Sequence, residues 1–150
     1  MATTSGYSGT PLARKLGIKE GSRVLLLDAP AELAGLLAPL PPGVVFETTP
    51  GTKTTLAHVF VKDRELLAQR LRELRRRLVP ETAVWVSWPK KSSKVPSTVT
   101  EDVIREVALP LGWVDVKVCA ISEIWSGLKL VVRKDLRRAV LAVADGRGRK

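Results

Sequence analysis

Basic and aromatic residues follow two predicted strands, at positions where open α/β sheets bind their ligands. Lys62 comes directly after the apolar run 56–61. The next predicted strand ends in Trp88, followed closely by Lys90 and Lys91. A tryptophan ring can stack on a base while lysine ammonium groups hold a phosphate. These residues predict a site for an anionic ligand; the alternative is a tryptophan packed under a loop beside two solvated lysines.

Asp28 and the segment after it lie where a nucleotide cofactor is usually bound. A dinucleotide or S-adenosylmethionine site usually needs glycines there, so that the backbone can approach the ligand and its amides can face it. From Asp28 to Gly35 the chain reads Asp-Ala-Pro-Ala-Glu-Leu-Ala-Gly, and Pro30 removes one amide donor. We keep Asp28 as a ligand-binding candidate, count the segment against a working methyltransferase and predict no cofactor.

Other catalytic signatures are missing from the sequence. It has no Gly-Lys-Thr or Gly-Lys-Ser for a phosphate loop and no Gly-x-Ser-x-Gly elbow for a hydrolase. One cysteine, Cys119, and one histidine, His58, cannot form an internal disulfide or the usual zinc site. We expect both side chains to be buried in strands. No catalytic residue and no metal ligand is predicted, and whether the protein is an enzyme stays open.

The amino-terminal segment carries hydroxyl groups that two glycines bracket. Tyr7 and Ser8 lie between Gly6 and Gly9, and Thr10 follows. A segment of this kind either lies across the strand ends as a lid, adding Tyr7 and Ser8 to the ligand site, or tethers the first strand.

Positive charge is the strongest compositional signal. The 150 residues include 25 Lys and Arg against 15 Asp and Glu, for a net charge of +10 and a pI near 10.3. Such a chain attracts anionic small molecules, acidic partners or nucleic acid. Nucleic-acid candidates are Arg72 and Arg76, on a predicted helix, and Arg147 and Arg149, in the tail. The plainer interpretation of that helix is a solvated basic face.

Hydrophobic periodicity supplies the elements that must position these residues. Leucines at 67, 71, 74 and 78 form one stripe, which predicts a helix over 64–78, with Asp63 as its N-cap. Further helices are predicted at 12–18, 31–37, after Thr98 or Thr100, and at 135–144. Strands are predicted at 23–28, 44–49, 56–61, 83–88, 113–121 and 128–133, the last two forming an antiparallel hairpin with Trp125–Gly127 at its tip.

This alternation predicts an α/β fold, a three-layer α/β/α Rossmann-like sheet that is mostly parallel with a C-terminal antiparallel hairpin. Its element order resembles the carboxy-terminal half of methyltransferase-like Rossmann folds. We expect one domain over 1–145, with an arm at 1–10 and a disordered basic tail at 146–150. The chain shows no signal peptide and no apolar run of about 20 residues, so we expect a cytoplasmic protein without a membrane partner.

Five segments together resemble a bacterial protein family of unknown function. They are 6–12, 15–19, 86–91, 100–112 and 118–128, and the resemblance covers about 6–133. It implies a small cytoplasmic bacterial protein and transfers no activity or catalytic residue.

The leading hypothesis is a non-catalytic or regulatory module that binds an anionic ligand or acidic partner at the strand ends. One alternative is a divergent S-adenosylmethionine-dependent methyltransferase. Another is nonspecific nucleic-acid binding through the basic helix 64–77 and the tail. The oligomeric state is not predicted.

Overall fold

A six-stranded sheet forms the centre of the computed structural model, which describes residues 10–137. Its strands are β1 (Arg23–Leu27), β2 (Val45–Glu47), β3 (Leu56–Phe60), β4 (Ala83–Pro89), β5 (Trp113–Ala120) and β6 (Trp125–Val132). They lie in the order β2-β1-β3-β4-β6-β5. The first four strands pair in parallel, whereas β6 is antiparallel to both β4 and β5. The predicted mostly parallel α/β sheet with a C-terminal hairpin is therefore confirmed.

Helices cover both faces of the sheet. Helices α1 (Leu12–Lys15) and α2 (Leu33–Leu37) pack on one face, and α3 (Arg64–Arg77) and α4 (Glu101–Ala108) on the other. Residues 134–137 begin the predicted last helix. Positions 1–9 and 138–150 lie outside the described residues. The predictions of an amino-terminal arm, a basic tail and a domain boundary at 145 fall in these segments.

The alternation of side chains along each strand explains the two hydrophobic layers. Val24 belongs to the layer beneath α1 and α2, whereas Leu25 belongs to the layer beneath α3 and α4. Trp85 and Trp88, three residues apart on β4, likewise enter opposite layers. All five residues of β3 are buried, as expected for a central strand covered on both faces.

Helix α3 follows its predicted stripe closely. Leu67, Leu71 and Leu74 are fully buried against the sheet. The Asp63 carboxylate accepts a hydrogen bond from the Leu66 amide at 3.0 Å, which satisfies one of the free amides of the first turn. The helix ends at Arg77, because Leu78 adopts an extended backbone.

Helix α4 begins at a threonine N-cap. The Thr100 hydroxyl accepts from the Val103 amide at 3.2 Å, so Thr100 rather than Thr98 is the cap. On its surface Arg105 pairs with Glu101, Asp102 and Asp115, which joins the helix to β5.

The hairpin differs from its prediction at one point. Trp125–Gly127 was expected at the tip, but these residues belong to β6, where Ser126 pairs with Ala120. The Ser122 hydroxyl accepts hydrogen bonds from the amides of Ile124 and Trp125, so the chain reverses within four residues. Strand β6 therefore begins to pair with β5 at an earlier residue than predicted. Trp125 is consequently buried, with its ring edge-on to Phe60 at 5.1 Å.

Among residues 10–137, no helix has both the length and the apolarity to cross a membrane.

Candidate functional site

The carboxyl edge of the parallel strands contains the point where the strand order reverses. After β1 the chain moves to β2 on one side of it, and it then returns to β3 on the other side. A crevice therefore opens between the carboxyl ends of β1 and β3. Open α/β sheets bind their ligands at such reversal points.

Asp28 lies at this crevice, directly after β1. Its backbone has a φ of 59°, in the left-handed region that few non-glycine residues adopt. Its carboxylate oxygen Oδ2 accepts from Arg70 Nη2 at 2.7 Å, and half of the side chain stays exposed. Asp28 is thus held in an uncommon conformation with its second oxygen available to a ligand.

Arg70 is a residue of this site that sequence reasoning missed. It lies on α3, and its buried Nε has no hydrogen-bond partner among the described residues. Its position could have been noticed from the spacing, since it is three residues after Leu67 and four before Leu74, on the flank of the buried stripe. A guanidinium at that position can reach the end of β1.

The segment after Asp28 forms a turn that contains Pro30. The Leu33 amide donates to the carbonyl of Pro30 at 3.0 Å, forming a tight turn that leads into α2. Pro30 has no amide hydrogen, and no glycine occurs before Gly35. Side chains rather than a glycine cradle must therefore hold any ligand at this end of β1.

Lys62 lies exposed on the opposite side of the crevice, after β3. Its carbonyl accepts from the Thr98 amide at 2.9 Å, and the Thr98 hydroxyl accepts from the Arg64 amide at 2.8 Å. These two bonds fasten the loop after β4 across the ends of β3 and α3. Asp28 and Lys62 therefore place opposite charges at the ends of adjacent strands.

Trp88 does not form the stacking platform that was predicted. Only 8% of its surface is exposed, and it packs in the layer beneath α3 and α4 together with Val61 and Val99. The prediction was wrong because helices cover both faces of the sheet, so each tryptophan of β4 enters a hydrophobic layer. Lys90 and Lys91 remain at the carboxyl edge, Lys90 partly buried and Lys91 exposed. Tyr7 and Ser8 lie outside the described residues.

A cavity of about 200 Å³ borders the end of β1. Its lining includes Leu27, Thr48, Thr49, Arg70 and Glu73. This volume is below the roughly 300 Å³ at which ligand pockets usually begin, so it accommodates part of a nucleoside rather than a whole cofactor. The rest of such a ligand would lie over the open crevice.

Dinucleotide-binding folds use an acidic residue about 20 residues after the first strand to bind a ribose. Glu47, the last residue of β2, lies at that distance from β1 in the sequence. In this structure its carboxylate accepts from Arg23 at 2.6 Å and from the Thr54 hydroxyl at 2.7 Å. Both oxygens of Glu47 are thus bound within the protein, whereas Asp28 has an available oxygen.

His58 and Ser87 form a hydrogen-bonded pair inside the sheet. The His58 Nε2 and the Ser87 hydroxyl are 2.6 Å apart, and the imidazole stacks on Phe60 at 4.3 Å. Burial lowers the pKa of His58 from 6.5 to about 3. Because both side chains are buried, the pair is structural, as expected for His58.

Cys119 is buried as predicted, and burial raises the pKa of its thiol. No group of three or more His, Cys, Asp and Glu side chains within 10–137 could hold a metal ion. Arg72 and Arg76 are exposed on α3 and do not line the cavity at the end of β1. Arg147 and Arg149 fall outside the described residues.

Some solved structures with a similar fold are described as methyltransferases. One from Aquifex aeolicus is 16% identical, with a TM-score of 0.57 over 80% of this chain and 87% of its own. A protein described as a type 11 methyltransferase, from Sulfolobus solfataricus, is 12% identical, with a TM-score of 0.59 over 82% and 90%. Fibrillarin from Aeropyrum pernix, with natively bound S-adenosylmethionine, is 16% identical, with a TM-score of 0.52 over 76% and 68%.

These likenesses confirm the methyltransferase-like fold. No protein-family model and no curated protein matches the sequence. The resemblance to a bacterial family of unknown function therefore stays a prediction.

Proposed function

We propose that this chain is a divergent S-adenosylmethionine-dependent methyltransferase that binds its cofactor at the crevice between β1 and β3. The observation that carries the proposal is the sheet order, which reverses at this crevice in a fold similar to such enzymes over four fifths of the chain. The similarity supports this function better than the non-catalytic module, which the sequence favoured.

The described residues offer side-chain charges that complement those of the cofactor, but they do not provide the usual glycine-rich loop with backbone amides. The free oxygen of Asp28 suits the ribose hydroxyls or the sulfonium, and the Lys62 ammonium suits the carboxylate of the methionine part. The segment with Pro30 offers no close glycine approach, so binding would depend on these side chains. When bound, S-adenosylmethionine supplies an electrophilic methyl group.

Calorimetric titration with S-adenosylmethionine tests the proposal. Asp28→Asn is the informative variant, because asparagine tolerates the left-handed backbone while losing the charge. We expect it to weaken binding about tenfold, as for a lost charge-assisted hydrogen bond. The control is Glu20→Gln, which removes one exposed negative charge before β1, at the other edge of the sheet, and should leave affinity within about twofold.

Absence of binding at millimolar S-adenosylmethionine would overturn the proposal. Equal affinity in the wild type and in Asp28→Asn would show that the cofactor binds elsewhere and would overturn the placement.

The second candidate is the non-catalytic module that binds an anionic ligand or acidic partner. Lys62, Lys90 and Lys91 favour it, since all three lie at the carboxyl edge and none pairs with an acid among the described residues. Titration with inorganic phosphate distinguishes it: phosphate binding that falls in Lys90→Gln/Lys91→Gln, without S-adenosylmethionine binding, supports this candidate.

A further inference from the structure

A second cavity lies on the outer side of α3, close to the amino edge of the sheet. Its volume is about 570 Å³, within the range of ligand pockets. It is lined by Gln69, Arg72, Glu73, Arg75, Arg76 and Leu111. Its three arginines are absent from the lining of the cavity at the end of β1, and the two linings share Glu73.

The three arginines of this cavity lack acidic partners. Glu73, the acid in the lining, already pairs with Arg77 at 3.2 Å. Arg64 and Arg70 on the same helix pair with acids from other elements, whereas Arg72, Arg75 and Arg76 form no ion pair within 10–137. Like charges at this spacing repel along a helix, so an anionic ligand would relieve a real electrostatic cost.

Arg75 is fixed in place before any ligand arrives. Its Nε donates to the carbonyl of Leu111 at 2.9 Å. Its guanidinium also lies against Gly112, where a Cβ would be only 3.2 Å from Nε and Nη2. An arginine whose planar fork is held in one orientation binds phosphate oxygens with little further loss of side-chain entropy.

We propose that Arg72, Arg75 and Arg76 form a binding site for the phosphate groups of a nucleotide ligand. Three guanidinium groups in one cavity match several phosphate oxygens, because each offers paired donors to an oxyanion. The phosphates could belong to a free nucleotide or to a nucleic-acid strand, and the proposal does not depend on methyltransferase activity.

The test compares two variants that lose the same charge from cavities of similar size. Arg72→Gln/Arg76→Gln alters the proposed site. Arg14→Gln/Lys19→Gln alters a cavity of about 540 Å³ beside α1, on the opposite face of the sheet. Binding of ATP and of a short single-stranded RNA is measured at several salt concentrations, and circular dichroism melting checks the fold of each variant.

We expect the site variant to lose at least about tenfold in affinity and the control less than about twofold. For RNA, losing two phosphate contacts should flatten the slope of log affinity against log salt by about 1.4. ATP binding that competes with RNA identifies a free-nucleotide site, and RNA binding without ATP binding identifies a polymer site; both support the proposal.

Equal losses in the two variants would mean that the overall positive charge attracts the ligand, and would overturn the proposal. Absence of binding to both probes at low salt would overturn it as well. Arg75→Lys provides a further check, since it keeps the charge but loses the fixed fork. Unchanged affinity in that variant would contradict the role given to Arg75.

Discussion

His58 should make the stability of this protein depend on pH between 7 and 5. It is the only histidine in the chain, and burial lowers its pKa from 6.5 to about 3. In that interval the unfolded chain binds a proton at His58 that the folded chain does not bind. The free energy of unfolding must therefore fall as the pH falls below 6.5, and the loss continues until about pH 3.

The size of the effect follows from the two pKa values. One pKa unit corresponds to about 1.4 kcal/mol, and the unfolded histidine goes from about one quarter protonated at pH 7 to almost fully protonated at pH 5. Lowering the pH from 7 to 5 should therefore remove about 2 kcal/mol of stability through His58 alone. That is a large share of the roughly 5–15 kcal/mol typical of a native domain.

Urea unfolding at closely spaced pH values measures this dependence, with His58→Gln as the control. Glutamine does not titrate and can still bond to the Ser87 hydroxyl, so its stability should be nearly flat over the same interval. Carboxylates have lower unfolded pKa values and contribute mainly below pH 5. A flat profile in the wild type, or the same slope in both proteins, would refute the assignment.

Two further predictions concern the packing that supports the sites. Leu71→Ala, at a fully buried position of α3, should lower the free energy of unfolding by about 2–5 kcal/mol, measured by chemical unfolding. Leu109→Ala, at a residue that is 45% exposed, should lower it by less than about 1 kcal/mol. Similar values for the two variants would contradict the placement of the buried stripe. Gly112→Ala should lower the free energy of unfolding by about 1–3 kcal/mol, because the residue has a φ of 103° and the added Cβ would lie 2.6 Å from Leu136 Cδ1. Gly35→Ala, with open space around it, should leave stability unchanged or raise it. Unchanged stability in Gly112→Ala would contradict this backbone conformation.

The fold could be predicted well because local signals agreed with one another. Proline and glycine interrupted the apolar runs where the strands end, and the leucine spacing of α3 determined its buried face. The start of β6 was missed, because the serine turn that brings Trp125 into the sheet depends on hydrogen bonds from one hydroxyl. Such a turn has no periodicity to reveal it.

The candidate site was predictable only in part, since it depends on contacts between distant segments. Asp28 and Lys62 could be placed at strand ends from the apolar runs alone. The leucine spacing could place Arg70 on the flank of the buried stripe, but it could not identify Arg70 as the partner of Asp28, which is 42 residues away in the chain. Trp88 was misplaced for a related reason, as the exposure of a strand residue depends on which helices return to cover that face.

The crevice and the cavity lined by Arg72, Arg75 and Arg76 both involve α3, but their charges suit different ligands. Near the middle of α3, Arg70 pairs with Asp28, so the crevice carries both an acid and a base. Farther along, Arg72, Arg75 and Arg76 face a cavity whose acid already pairs with Arg77. A ligand with mixed charges, such as S-adenosylmethionine, suits the crevice, whereas a phosphate-rich ligand suits the arginine cavity.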